Sequence, residues 1–200
     1  MRSQSGILAL LMVAASTLLL QGCFTLAAAG IGATVMMVDD RRSTGIYIED
    51  ENVELKSRIR MIENFKDAHV NATSYNLTVL LTGEVPSEQM KKDIEQSVRS
   101  VTSVKAVQNE LVVAGNTSLA SRSSDTLVTT NTKARFINNG KFSINHVKVV
   151  TEAGTVFLMG MVTREEGDAA AELARTTSGV SRVVKVFEYI EPPPAPAPKR

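Results

Sequence analysis

Apolar and polar positions follow one another along this chain in an order that occurs twice. Residues 51–66 carry apolar side chains at helical spacing through Leu55, Ile59 and Ile62, and residues 125–139 do so through Leu127, Ala134 and Ile137. Two short strand-like runs follow each helix, separated by the turn signals Asn76 in one case and Ala153-Gly154 in the other. A second helix is predicted from Ser87 and from Thr163. Met90, Ile94, Val98 and Val101 draw one apolar stripe along the first of these; Thr163 with Glu166 spells a capping box for the other, and Gly179 is placed to end it. A last strand closes each unit, over residues 105–113 and 182–190. The predicted class is α+β: two tandem αββαβ modules, each a small mixed sheet with two helices on one face.

The duplication is visible residue by residue. Arg60-Met61-Ile62-Glu63-Asn64 matches Arg135-Phe136-Ile137-Asn138-Asn139, His69-Val70 matches His146-Val147, and residues 79–85 (VLLTGEV) match 156–162 (VFLMGMV), at offsets of 75 to 77. The modules are placed at 46–114 and 124–191, with the Ser-rich stretch 116–124 as their joint. Two cores joined in this way are expected to unfold semi-independently. Gly83 and Gly160 stand at equivalent strand ends and read as structural glycines, since a residue without Cβ suits a bulge or a close backbone approach.

The ends of the chain have a different character. Arg2 and the 14-residue apolar run 7–20 (ILALLMVAASTLLL) read as an export signal, too short for a spanning helix, which needs about 20 apolar residues. The run ends in Leu20-Gln21-Gly22-Cys23, which resembles a bacterial lipobox. That makes 1–22 a signal peptide and Cys23 the lipid attachment point. Residues 23–45 then hold the lipidated Cys, an apolar stretch at 25–38 that either lies on lipid or packs on the globular part, and a polar linker. Phe24, where an Asp would mark inner-membrane retention, points to the outer membrane. Residues 192–200 are Pro-rich and expected to be a disordered tail, or a ligand for a proline-binding partner.

Composition narrows the chemistry. With 22 basic and 21 acidic residues, no Trp and 4% aromatics, nothing favours nucleic acid. One cysteine excludes an internal disulfide. No nucleophile elbow, zinc signature or phosphate loop is present, so no catalytic residue, no metal ligand and no cofactor other than lipid on Cys23 is assigned. His69 and His146 occupy equivalent strand entrances; they could share a metal only if the modules faced each other. The modules differ in charge: residues 46–113 hold 8 basic and 11 acidic side chains, residues 124–190 hold 8 and 7.

The αββαβ order, the Leu-x-Gly-x-Val strand ends (Leu81 to Val85 and Leu158 to Val162) and the valine pairs Val104/Val107 and Val180/Val183 resemble the BON domain. A lipobox followed by two such modules is similar to the dual-BON lipoproteins of Gram-negative outer membranes, the DolP type. The resemblance covers residues 20–190. It implies a lipid-anchored protein on the periplasmic face of the outer membrane that binds anionic phospholipid through the first helix of its second module and supports envelope integrity. The residues expected at that surface are Leu127, Val128, Lys133, Arg135 and Ile137. Leu127 stands where the family typically has Trp, and Asn52 stands at its place in the first module. The alternative for Leu127 and Ile137 is packing on the sheet, with Ile137, matched by Ile62, the more core-like of the two. The alternative function is a protein-interaction scaffold or chaperone-like accessory to outer-membrane β-barrel assembly, its partners being assembly proteins and its lipid only a tether.

Overall fold

The computed structural model describes residues 39–115 and 119–192. The predicted signal peptide, Cys23, residues 24–38 and the tail from 193 onward lie outside the described residues. Among those described, no helix is long and apolar enough to cross a membrane.

Helix α1 (Thr44–Asn64) opens at Ser43, whose Oγ accepts the Ile46 amide. It buries Asp50, Val53, Ser57 and Met61. Helix α3 (Leu119–Ile137) starts inside the predicted joint and buries Asp125, Val128, Thr132 and Phe136, the same 3-4-4 spacing 75 residues on. For α1 this corrects the inner face that the spacing of Leu55, Ile59 and Ile62 suggests; for α3 it sets aside the sheet-packing alternative for Leu127 and Ile137. Leu55, Ile59 and Ile62 are 55%, 45% and 65% exposed, and Leu127 and Ile137 are 65% and 66% exposed. The inward face carries a polar residue at two of its four positions, so hydrophobicity alone points to the wrong side. Ser57 and Thr132 are small enough for the helix to lie close on its sheet, and the two aspartates have partners described below.

In the first module β1 (His69–Tyr75) runs antiparallel to β2 (Thr78–Val85). Strand β2 pairs in parallel with β3 (Ala106–Asn109) and β4 (Val112–Val113). The single last strand expected there is broken at Glu110-Leu111, where the Asn109 side chain accepts the Leu111 amide and Leu111 turns into the core. Helix α2 (Glu88–Arg99) is capped by Ser87. In the second module β5 (Val147–Glu152) is antiparallel to β6 (Thr155–Val162), and β6 is parallel to an unbroken β7 (Arg182–Tyr189). Helix α4 (Arg164–Arg175) carries the capping box of Thr163 and Glu166; it ends at Thr176, before Gly179, which serves a later turn with φ +87°.

Alternation along the central strands divides them between two cores. Val79, Leu81 and Val85 face Val53, Ile94 and Val98. Val156, Leu158 and Val162 face Val128, Phe136, Ala170 and Ala174. The opposite faces meet each other: Tyr75 and Leu80 of the first module pack with Phe157 and Met159 of the second, flanked by Val150, Met161, Val184 and Val186. Each sheet is therefore covered on both sides, which is why its central strand is an almost continuous apolar run. Polar pairs rim this seam, among them Lys148–Glu54 at 2.6 Å and Asn76–Glu188 at 2.7 Å. Because the modules share a core, independent unfolding is not expected of this architecture.

Candidate functional site

Helix α3 brings three of the five predicted surface residues to solvent. Leu127, Lys133 and Ile137 are exposed, with Ala134 between the two aliphatics. Val128 does not join them: at 4% exposure it faces the core on the far side of the helix. Arg135 is withdrawn as well. Its Nη1 donates to the Leu173 carbonyl at 2.9 Å and to Thr177 Oγ1 at 3.1 Å, satisfying the C-terminal end of α4. Arg60 does the same for α2 through Ser97 and Ser100. The conserved offset of these two arginines thus marks a helix-end contact within each module.

The stretch read as a polar linker is in fact built into the fold. Arg42 forms ion pairs with Asp40 and Asp50, at 2.6 and 2.8 Å, and lies over the Tyr75 ring, 4.1 Å from its centroid. Arg41 reaches the other module, donating to both Glu166 carboxylate oxygens and to the Met161 carbonyl. Burial works to raise the Glu166 carboxyl, but the Arg41 guanidinium and the Thr163 amide hold it below the usual glutamate range. Two successive arginines therefore grip one module each.

Asp50 and Asp125 are the buried groups that the apolar pattern overlooks. The two-residue turn between β1 and β2 has φ of 50° at Asn76 and 65° at Leu77; that between β5 and β6 has 48° at Ala153 and 72° at Gly154. Asp50 accepts the amides of Asn76 and Leu77, each at 2.8 Å, and Ser74 Oγ at 2.6 Å. Asp125 accepts the amides of Ala153 and Gly154 at 2.9 and 2.8 Å. Each module's first helix thus holds its own hairpin turn. Recurrence of Asp at the 75-residue offset was the signal for it.

The glycines sit beneath the histidines. A Cβ on Gly83 would lie 2.0 Å from the His69 carbonyl oxygen, and one on Gly160 would lie 2.2 Å from that of His146. The close backbone approach expected of both is what the fold contains. Each imidazole has a carboxylate of its own module beside it: His69 Nδ1 is 3.1 Å from Glu84, and His146 Nδ1 is 3.9 Å from Glu166. His69, Glu84 and Glu152 bring one nitrogen and two carboxylate oxygens within 4.8 Å of one another and are the described residues that could hold an ion. Arg122 lines the same shallow depression as His69 and Glu152.

The BON domain model matches residues 49–115 and 124–191. The chain is 39% identical over 184 residues to the outer membrane lipoprotein DolP of Haemophilus influenzae, covering 88% of this chain and 93% of that one. It is 31% identical over 155 residues to the 21 kDa hemolysin of Actinobacillus pleuropneumoniae, covering 76% and 80%. Among solved structures, CdsD, a structural protein of the type III secretion system of Chlamydia trachomatis, matches at a TM-score of 0.30 and 10% identity over 70% of this chain and 92% of its own, a likeness that carries no functional weight. With two BON modules and this identity over most of its length, the chain belongs to the BON-domain family as a dual-BON protein of the DolP type.

Proposed function

We propose that this chain is an outer-membrane lipoprotein, anchored by lipid on Cys23 at the periplasmic face, that binds anionic phospholipid through α3 and supports envelope integrity without catalysis. The observation that carries the lipid reading is the exposed aliphatic patch of α3: Leu127 and Ile137 are each about two-thirds exposed, and Lys133 stands on the flank. Aliphatic side chains that enter the acyl boundary beside a cation that stays with phosphate are the two components of interfacial binding. The net charge of the second module, about +1 against −3 for the first, favours the same surface. The naming of the Haemophilus relative as an outer membrane lipoprotein supports the location.

The compact unit from Asp40 onward should sediment with phosphatidylglycerol vesicles and not with phosphatidylcholine vesicles. Changing Leu127→Glu together with Ile137→Glu should weaken that binding by on the order of tenfold or more, because two insertions are lost and two anionic repulsions gained. Both sites are exposed, so the fold should survive. Undiminished binding by the folded double variant would remove α3 from the reading. The tether is tested separately by Cys23→Ala in the full chain, which should leave the outer-membrane fraction; recovery there at the parent level would overturn the anchor.

A further inference from the structure

On the side of α1 opposite its core lies a second apolar seam. Ile48, Leu55, Ile59 and Ile62 are 54%, 55%, 45% and 65% exposed, and with exposed Asn52 they fall at steps of 4, 3, 4 and 3 residues. That is the a/d spacing of a coiled coil, with Ile48, Leu55 and Ile62 at d and Asn52 and Ile59 at a. At about 100° per residue the seam is centred roughly 180° around the helix from Asp50, Val53, Ser57 and Met61. A partner helix can therefore approach without disturbing the module. We infer that this face is a self-association surface, on which α1 of a second copy of this chain packs parallel and in register.

Charge complementarity selects that occupant. Glu51 and Arg58 stand at the g positions, Lys56 and Glu63 at the following e positions, and all four are exposed. In a parallel, in-register pair each g residue meets the e residue five further along its partner. Glu51 then faces Lys56, and Arg58 faces Glu63, each contact occurring twice by symmetry. Among the described residues none of the four takes part in an ion pair within its own chain. Asn52 points the same way. In the parallel pair it meets Asn52 and the two amides bond each other, whereas an antiparallel pair would set it against an aliphatic d residue and leave it only its long contact to Glu49, at 3.4 Å. A single Asn at an a position sets register and strand number in this manner.

The helix is already formed by its own module, so association does not bear the cost of nucleating it. The seam is specific to the first module: 75 residues on, the equivalent positions are Ser123, Leu127, Thr130, Ala134 and Ile137, where Ser, Thr and Ala interrupt the row. A parallel pair also sends both N-terminal segments to the same side, as two copies held at one membrane require; that clause alone rests on the proposed anchor.

The test uses the full chain with one added cysteine, the parent with its Cys23 serving as background. Under mild oxidation Leu55→Cys and Ile59→Cys should each give disulfide-linked dimer well above both the parent and Thr130→Cys, the equivalent exposed site on α3. In the Ile59→Cys chain, Glu51→Lys should lower the yield by on the order of tenfold, by turning two attractions into two repulsions, and adding Lys56→Glu should restore it. These changes are at exposed sites, and far-UV circular dichroism confirms the fold. Yields no higher than Thr130→Cys, or indifference to the charge exchange, overturn the proposal. So does a disulfide that forms only between Leu55→Cys and Ile59→Cys chains when the two are mixed, since that pairing is antiparallel.

Discussion

Helices α1 and α3 hold the same place in their modules, bury the same four positions and end on the same arginine contact, yet they offer solvent different faces. Helix α1 shows a row of four large aliphatics, broken once by Asn52 and flanked by charges of both signs; α3 shows two aliphatics separated by Thr130 and Ala134, with Lys133 beside them. A duplicated module is constrained where it packs. Asp50 and Asp125, Val53 and Val128, Ser57 and Thr132, and Met61 and Phe136 have kept their character because each meets a turn or a sheet. The outward positions face solvent, and there the copies have parted.

The largest effect tests whether the two modules are one cooperative body. Gly160→Val should cost about 3–5 kcal/mol, because its Cβ would fall within 2.2 Å of a backbone carbonyl that the β5–β6 pairing fixes in place. Leu80 and Tyr75 lose their cover if the second sheet distorts, so the first module should be destabilised with it. In a denaturant melt, tryptophans introduced separately at exposed sites in each module should report one coincident transition, shifted in the variant. Two separated transitions, with the first module unmoved, would mean the shared core contributes little.

Much of this was legible in the amino-acid order. The offset of 75 to 77, the αββαβ succession, the capping box at Thr163 and the glycines beneath the histidine carbonyls all follow from local chemistry, and local chemistry is written locally. The inner face of α1 was misread for a physical reason. Amphipathic reasoning treats a buried position as an apolar one, and α1 buries an ion-paired Asp and a Ser while exposing three isoleucines and a leucine. The meeting of the two sheets had a signal that was not used: an uninterrupted Val79 to Leu81, and again Val156 to Met159, is what a strand covered on both faces looks like. Arg41 and Arg42 could not be placed, since their partners Glu166, Asp50 and Tyr75 lie 8 to 125 residues away.

A smaller effect sharpens the contrast between the modules at a place where they look alike. Asp50 and Asp125 each hold a hairpin turn whose two residues take positive φ, but only Asp50 also takes Ser74 Oγ and the Arg42 guanidinium. Asp50→Asn leaves the shape intact and one acceptor oxygen in place. It sets an amide NH2 against either Arg42 and the Asn76 amide or Ser74 Oγ and the Leu77 amide, and it leaves Arg42, whose side chain is only 7% exposed, with Asp40 as its remaining carboxylate. Arg42 stays compensated by Asp40, so the cost is that of lost charged hydrogen bonds at a buried site, about 2–3 kcal/mol. Asp125→Asn gives up one of two amide contacts and no ion pair, for roughly 1–2 kcal/mol. Both are read from the same urea melt of the full unit. Equal losses would show that the turn contacts alone set the cost, and that the grip of Arg42 on the first module adds nothing to its stability.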